Sequence, residues 1–337
     1  MKLPPFEYLE PDSMNEACRA LSVQNGNAQI IAGGTELLQA MKHHLRFPRV
    51  LVSLERVPHL TEIRYSTGSG LTVGPLATLR SLAAHDSVKK RYSLVADAAL
   101  AVGGAQLQAM GTVGGNLCQD CCCIYYNRPP NLRVRQGPCY KLGGVVCHAV
   151  KRSTNCHAVY SGDLAPVLIT LKAEITLVDH TGEKAIPIQE MYSGESARPL
   201  ALEPGQVVQK IHLPARGKRT GGAYLKLRPR KAIDYPLLGV AAALTLEEDR
   251  ETCRSAGVAM TGIGCAPVSV QQAVMLEGQA ITDDRIDDLA EAAYEQARPV
   301  ANVLGYSPRY RRDMVRVYVK TAVKQSLAGA FSEGDTP

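Results

Sequence analysis

Seven cysteines fall between Cys118 and Cys156, directly after the glycine-rich turn Gly111-Thr-Val-Gly-Gly-Asn116, and only three lie elsewhere. Glycines let backbone N–H groups close on an anion, and a dense run of thiols suits metal or redox chemistry. A chain that sets the two side by side has to fold a long loop against a backbone cradle. The pairing calls for two redox-type ligands held close together.

Ten cysteines would suit a disulfide framework in a secreted chain. The N-terminus, Met-Lys-Leu-Pro-Pro-Phe, has no apolar run behind its lysine, so a secretory signal is not expected. Metal or redox use in a reducing, cytoplasmic compartment is the expectation. Cys18, Cys253 and Cys265 sit singly among mixed or apolar neighbours and are expected as small core residues. A chain of 337 residues is expected to divide into two or three domains. No stretch reaches the roughly 20 apolar residues of a membrane span. The net charge of +6 is spread out, and the basic stretches Lys226 to Lys231 and Arg309 to Arg312 are short. With three Phe, no Trp and no aromatic-interleaved basic motif, the chain is not expected to bind nucleic acid.

Periodicity places helices at 14–24, 35–42 and 93–102, and strands at 29–32, 49–53 and 70–74. The first of these form a β-turn-α-β unit. Thr78 reads as a helix N-cap. Residues 164–170 read as helix or strand, 173–178 and 207–213 as strands, and His180-Thr-Gly-Glu183 as a hairpin turn. The basic, glycine-containing segment 215–222 reads as a linker. Beyond it come strands at 237–246 and 253–263 and amphipathic helices at 283–298 and 310–327, the pattern of a separate α+β domain.

Ile31-Ala-Gly-Gly-Thr-Glu36 puts two glycines between a strand and a helix, where N–H groups and the positive helix end can meet an anion. Gly111-Thr-Val-Gly-Gly-Asn116 is read as a second such concavity. Neither matches the G-x-G-x-x-G fingerprint or a Walker loop, which disfavours the usual NAD and ATP sites. Two such turns, followed by Ser161-Gly-Asp163-Leu, favour a cofactor that contains a pyrophosphate. On the residues alone, each turn can also be a plain strand exit, Asp163 a helix N-cap and Lys226 a solvated strand lysine.

Ala32-Gly-Gly-Thr-Glu36, Thr112-Val-Gly-Gly-Asn116-Leu-Cys118 and Asp163-Leu-Ala-Pro166 resemble the FAD-binding subunit of the xanthine dehydrogenase and carbon monoxide dehydrogenase family. Tyr224-Leu-Lys226, Gly239-Val-Ala-Ala-Ala and Tyr310-Arg-Arg-Asp-Met314 extend the resemblance over nearly the whole chain. It implies an α/β and α+β fold. A two-lobed FAD-binding domain of the vanillyl-alcohol-oxidase-like (PCMH) type would span 1–216, with lobes 1–56 and 57–216 and a cysteine-rich loop at 118–160. An α+β C-terminal domain of the CO dehydrogenase flavoprotein type would span 217–337. By residue matching, Ile31, Ala32, Gly33, Gly34, Thr35, Glu36 and Leu37 would wrap the FAD pyrophosphate. Val102, Thr112, Gly114 and Asn116 would line the flavin and its arm, with Asp163 and Lys226 as further contacts.

Asn116 and Asp163 are 47 positions apart, where most of that family has a short connection, and the extra length holds the cysteines. Such a loop resembles the flavin subunit of 4-hydroxybenzoyl-CoA reductase, which carries an added [4Fe–4S] cluster. The family's ligand order fits Cys123, Cys139, Cys147 and Cys156, separated by 16, 8 and 9 positions. Four thiolates complete a cubane, and wide spacings suit a loop folded around one. The tandem Cys121-Cys122-Cys123 leaves the first ligand open, with Cys123 preferred, then Cys122, then Cys121. The pair Cys118-Gln-Asp-Cys121 keeps zinc in view, and free thiols are the third reading. His148 and His157 each follow a proposed ligand and are read as supporting or surface groups.

A flavin couples one-electron to two-electron chemistry. No molybdopterin motif and no plant-type ferredoxin spacing is present. The chain therefore reads as a subunit with no catalytic residue of its own. The resemblance implies a molybdopterin-binding large subunit and a [2Fe–2S] small subunit as partners, in a dimer of heterotrimers fed by ferredoxin or a similar donor. It implies reductive removal of a phenolic hydroxyl from an aromatic acyl-CoA. The rivals are the flavin subunit of an oxidative molybdenum hydroxylase acting on a purine, aldehyde or N-heterocycle, and a zinc-stapled scaffold without activity.

Overall fold

Short runs rich in Val, Ile and Leu become strands wherever a glycine or polar turn ends them, and they assemble into three sheets. The computed structural model describes residues 2–24, 26–301 and 306–332. Positions 302–305 and 333–337 of the expected C-terminal domain, and 1 and 25 of the first lobe, lie outside the described residues.

The first sheet contains β1 (Glu7–Leu9), β2 (Ala28–Ile31) and β3 (Val50–Ser53), ordered β1-β3-β2 and parallel throughout. The helix Met14–Val23 starts at Ser13, whose Oγ accepts the Glu16 N–H, and buries Ala17, Cys18 and Leu21 against Val50 and Val52. The helix Leu37–Lys42 carries the chain from β2 to β3, as the β-turn-α-β reading requires. Strand β1 was not foreseen from the sequence: three residues carry no period, and pairing with β3 alone defines it.

The second sheet is antiparallel: β4 (Ile63–Ser66), β5 (Gly70–Val73), β6 (Glu174–Val178), β7 (Glu183–Pro187) and β8 (Val207–Leu213), ordered β4-β5-β8-β6-β7. Between β5 and β6 come the helices that make the site, among them Leu79–Ala84, capped by Thr78 as expected, Ser93–Ala101, Val113–Leu117 and Leu164–Thr170. The ambiguous segment 164–170 is a helix, buried at every position.

The third sheet is β9 (Thr220–Leu227), β10 (Leu238–Leu246), β11 (Cys253–Thr261) and β12 (Val268–Ser269), ordered β12-β11-β10-β9. The expected linker at 215–222 is therefore too long, because β9 begins at Thr220. A Cβ on Gly221 would lie 1.8 Å from the Ser326 carbonyl oxygen, so this glycine lets the helix Pro308–Ser332 settle onto the strand. Strand β10 is buried on both faces. Ala241 and Ala243 pack into the core of the second sheet, while Val240, Ala242 and Leu244 pack under the helices Asp283–Gln296 and Pro308–Ser332. That double burial is why the strand reads as one apolar run.

Candidate functional site

The first glycine turn leaves a row of backbone donors free. Among the described residues, the N–H groups of Gly33, Gly34, Thr35 and Glu36 have no hydrogen-bond partner. Gly34 turns with φ +67°, a region that favours glycine, and the helix Leu37–Lys42 follows at once. A Cβ on Gly33 would lie 1.7 Å from the Met110 carbonyl oxygen, so the turn presses backbone to backbone against the second lobe. The N–H groups of Gly103 and Gly104 are likewise unpartnered among the described residues, and Gln108 fastens that bend by donating to the Leu100 and Val102 carbonyls. Consecutive free N–H groups around a concavity fit a phosphate or diphosphate. Gly103 and Gly104 were missed as candidates; their adjacency just after an alanine-rich helix was the available signal.

The second glycine turn is built differently, and the expectation of a second concavity is corrected. Val113 N–H donates to Ala77 O, Gly114 N–H to Pro75 O, Gly115 N–H to Thr112 Oγ1 and Asn116 N–H to Thr112 O. Thr112 thus caps a short helix, which consumes the donors an anion would need. A Cβ on Gly114 would meet Pro75 at 2.8 Å, so this glycine serves close packing. Asn116 Oδ1 accepts the Leu164 N–H at 3.1 Å and ties this turn to the Asp163-Leu motif.

Asp163 makes no helix-cap bond. Its Oδ1 accepts from Tyr224 Oη at 2.6 Å and its Oδ2 from Lys226 Nζ at 2.9 Å. Lys226 also donates to the Ala101 carbonyl, which Arg228 reaches too. Both charged side chains are 4% exposed. Lys226 is therefore not a solvated strand lysine, and Asp163, although it stands at the N-cap position of the Leu164–Thr170 helix, spends its carboxylate on Tyr224 and Lys226 instead of capping. Burial pushes the Asp163 carboxyl up and the Lys226 ammonium down, while each partner holds the other charged. The pair locks β9 to the end of the Ser93–Ala101 helix, beside Val102.

The cysteine loop sorts its thiols into two groups. Cys123, Cys139, Cys147 and Cys156 line one cavity, together with Tyr126, Lys141 and His148. The other three turn elsewhere. Cys121 is fully buried and its Sγ donates to the Cys265 carbonyl at 3.2 Å. Cys122 is fixed by paired backbone bonds with Val159 at 2.8 Å, and burial pushes its thiol up to about 12. Cys118 is pushed up to about 12 by burial and then by Glu36. Such thiols stay protonated and inert. Burial raises Cys156 as well, a shift that coordination to a cation reverses. Of the three solitary cysteines, Cys18 and Cys253 are core residues as expected; Cys265 is only half-buried and donates to the Gly194 carbonyl.

Among the described residues, no three His, Cys, Asp or Glu side chains converge on a point that would hold a single metal ion. Zinc draws sulfurs to a shared centre about 2.3 Å away.

The loop clasps both ends of the helix after the first glycine turn. Asp120 N–H donates to Glu36 Oε1 at 2.9 Å, and burial raises the Glu36 carboxyl to about 7. Asp120 in turn pairs with Arg46 at 2.8 Å and Lys141 at 2.7 Å. At the other end Arg133 donates to the His43 and His44 carbonyls at 2.7 and 2.8 Å. Nothing local in the sequence marks Asp120, Arg133 and Lys141, because they act on partners in distant parts of the chain.

The profile of the FAD binding domain in molybdopterin dehydrogenase matches residues 4–216, and that of the CO dehydrogenase flavoprotein C-terminal domain matches 223–326. The chain belongs to the FAD-binding medium subunits of the molybdenum hydroxylase and CO dehydrogenase family. It is 26% identical over 328 residues to the 6-hydroxypseudooxynicotine dehydrogenase complex subunit alpha of Paenarthrobacter nicotinovorans, covering 97% of this chain and 96% of that one. It is 30% identical over 302 residues to the aldehyde oxidoreductase FAD-binding subunit PaoB of Escherichia coli, covering 86% and 88%. The solved carbon monoxide dehydrogenase of Hydrogenophaga pseudoflava superposes with a TM-score of 0.80 at 25% identity, over 97% of this chain and 99% of that one. This flavin subunit thus has the mixed α/β architecture of the CO dehydrogenase medium chain, and FAD is its cofactor. No described helix is long and apolar enough to cross a membrane.

Proposed function

We propose that this flavin subunit carries a [4Fe–4S] cluster beside its FAD and serves a complex resembling 4-hydroxybenzoyl-CoA reductase. The complex would join it to a molybdopterin-binding large subunit and a [2Fe–2S] small subunit as a dimer of heterotrimers. A reduced ferredoxin-like donor would supply electrons, and the large subunit would remove the phenolic hydroxyl from an aromatic acyl-CoA. FAD supplies the exchange between one-electron and two-electron transfer, and a cubane supplies single electrons.

The chain's own residues divide the work. Ile31 to Leu37 would wrap the diphosphate, with the unpartnered N–H groups of Gly33, Gly34, Thr35 and Glu36 turned to it. Of the residues expected along the flavin arm, Val102 would lie nearest the buried Asp163–Lys226 pair, which ties β9 to the end of the Ser93–Ala101 helix, while Thr112, Gly114 and Asn116 would support the site from behind through their own hydrogen bonds and packing. Cys123, Cys139, Cys147 and Cys156 would bind the four irons. The gathering of these four thiols on one cavity, while the other three of the loop face elsewhere, carries the reading.

Iron, sulfide and flavin are to be quantified in the anaerobically purified complex. About four irons and four sulfides beyond the small subunit's share, with one FAD per flavin subunit, are expected. A flavin subunit with FAD and no iron of its own would overturn the cluster assignment.

A second reading has its own support, since the relatives named above are dehydrogenases and an aldehyde oxidoreductase. In it the complex oxidises an aldehyde, purine or N-heterocycle, and electrons leave through the flavin. Product analysis separates the two. Dehydroxylation of an aromatic acyl-CoA by reduced ferredoxin supports the first, and hydroxylation of a heterocycle or aldehyde with an added acceptor supports the second.

A further inference from the structure

Among the described residues lining the four-cysteine cavity, Lys141 is the sole lysine or arginine, and no carboxylate is present. Its side chain is 3% exposed. Nζ donates to Asp120 Oδ1 at 2.7 Å and to the Ser196 carbonyl at 2.8 Å, and lies 5.2 Å from the centre of the Tyr126 ring. A buried ammonium is costly unless paired, and here the pairing is incomplete. Asp120 is shared, its Oδ2 taking Arg46 Nη2 at 2.8 Å. Two cations on one carboxylate leave about one positive charge beside the cavity while the neighbouring Glu36 carboxyl, held at about 7, is protonated, and a low dielectric lets that charge act over several ångströms. Structure alone does not call for that charge, because a neutral amide could serve the same two acceptors.

The geometry points to Lys141 as the residue that sets the reduction potential of the centre held by the four cysteines, with Asp120 as its counterweight. The inference rests on the cluster reading above. Four thiolates make such a centre anionic, and reduction adds another negative charge. A nearby ammonium therefore favours the reduced form, and a nearby carboxylate opposes it. Asp120 also joins the two sites, since its N–H holds Glu36 in the first glycine turn while its carboxylate holds Lys141. The charge at the cavity and the turn that faces the flavin diphosphate are positioned by one residue.

The test is an EPR-monitored redox titration of the assembled complex carrying Lys141→Gln, Lys141→Arg or Asp120→Asn, with iron, sulfide and FAD counted in each. Lys141→Gln should lower the potential by at least a tenfold change in reduced-to-oxidised ratio, about 59 mV for a one-electron couple. Lys141→Arg should restore it, and Asp120→Asn should raise it. Opposite shifts at full cofactor content support the inference, because mere loosening of the loop would not move the two variants apart. If Lys141→Gln loses its iron, a raised potential in Asp120→Asn still supports it. Unchanged potentials, or shifts of one sign, overturn it while the cluster reading stands. A wild-type flavin subunit without iron overturns both.

Discussion

Gly33 meets Met110 with no room for a side chain between them: a Cβ at position 33 would sit 1.7 Å from the Met110 carbonyl oxygen. The contact joins the first sheet to the second lobe at the turn whose N–H groups stand free. Gly33→Ala must push the two backbones apart, and overpacking of this kind costs about 1–3 kcal/mol. The variant should lose FAD at least tenfold more readily and melt earlier. Flavin fluorescence and calorimetry on the purified complex measure both, and wild-type retention of FAD would refute the role given to this contact.

Asp163 and Lys226 are buried together, so removing one partner strands the other. Lys226→Met should cost about 3–5 kcal/mol by leaving an uncompensated carboxylate, and the double change Asp163→Leu with Lys226→Met should cost clearly less. A double-mutant cycle by urea unfolding gives the coupling. Additive losses would mean that the ion pair is not the element fixing β9 to the Ser93–Ala101 helix.

Legibility followed the period of the chain. Segments with a full period, such as 14–23 and 283–296, were readable because burial of one face imposes it. The three-residue β1 and the two-residue β12 were not, since pairing alone makes them strands. The turn at 31–36 was readable as a glycine turn that leaves backbone donors free, whereas the turn at 111–116 has the same kind of glycine pair and spends the donors of Val113, Gly114, Gly115 and Asn116 on other partners. Whether an N–H is free depends on Pro75 and Ala77, which come from a distant part of the chain. The four cysteines that share a cavity were separable from Cys121 and Cys122 through the family likeness, not through spacing. The charges that anchor their loop, Asp120, Lys141 and Arg133, act on partners tens of residues away and left no local pattern.

The tandem at 121–123 offers a sharp discrimination. On the cluster reading proposed above, Cys122→Ser should keep its iron, because that residue is held by backbone bonds to Val159 and does not line the cavity. Cys123→Ser, like Cys139→Ser, Cys147→Ser or Cys156→Ser, should lose most of it with FAD retained. Iron-to-flavin ratios on matched anaerobic preparations decide the matter. Iron lost from Cys122→Ser and kept by Cys123→Ser would exchange the two assignments.

Glu36 gives the flavin lobe a pH dependence of definite sign. Burial holds its carboxyl at about 7, against an ordinary value of 4.5. Between those two values the folded chain keeps a proton that the unfolded chain has lost, so stability falls as pH rises through this window. The penalty is absent below pH 4.5 and complete above 7, and at about 1.4 kcal/mol per pH unit it reaches at most about 3 kcal/mol. Glu36→Gln removes the titration and keeps an oxygen for the Asp120 N–H, so its stability should exceed the wild type's by a margin that widens from about pH 5 to about pH 7. Urea unfolding of flavin-stripped protein at half-unit pH intervals reads that difference. A margin that stays constant or narrows would show that Glu36 is ionised throughout the range, and that Arg46 and Lys141 outweigh its burial.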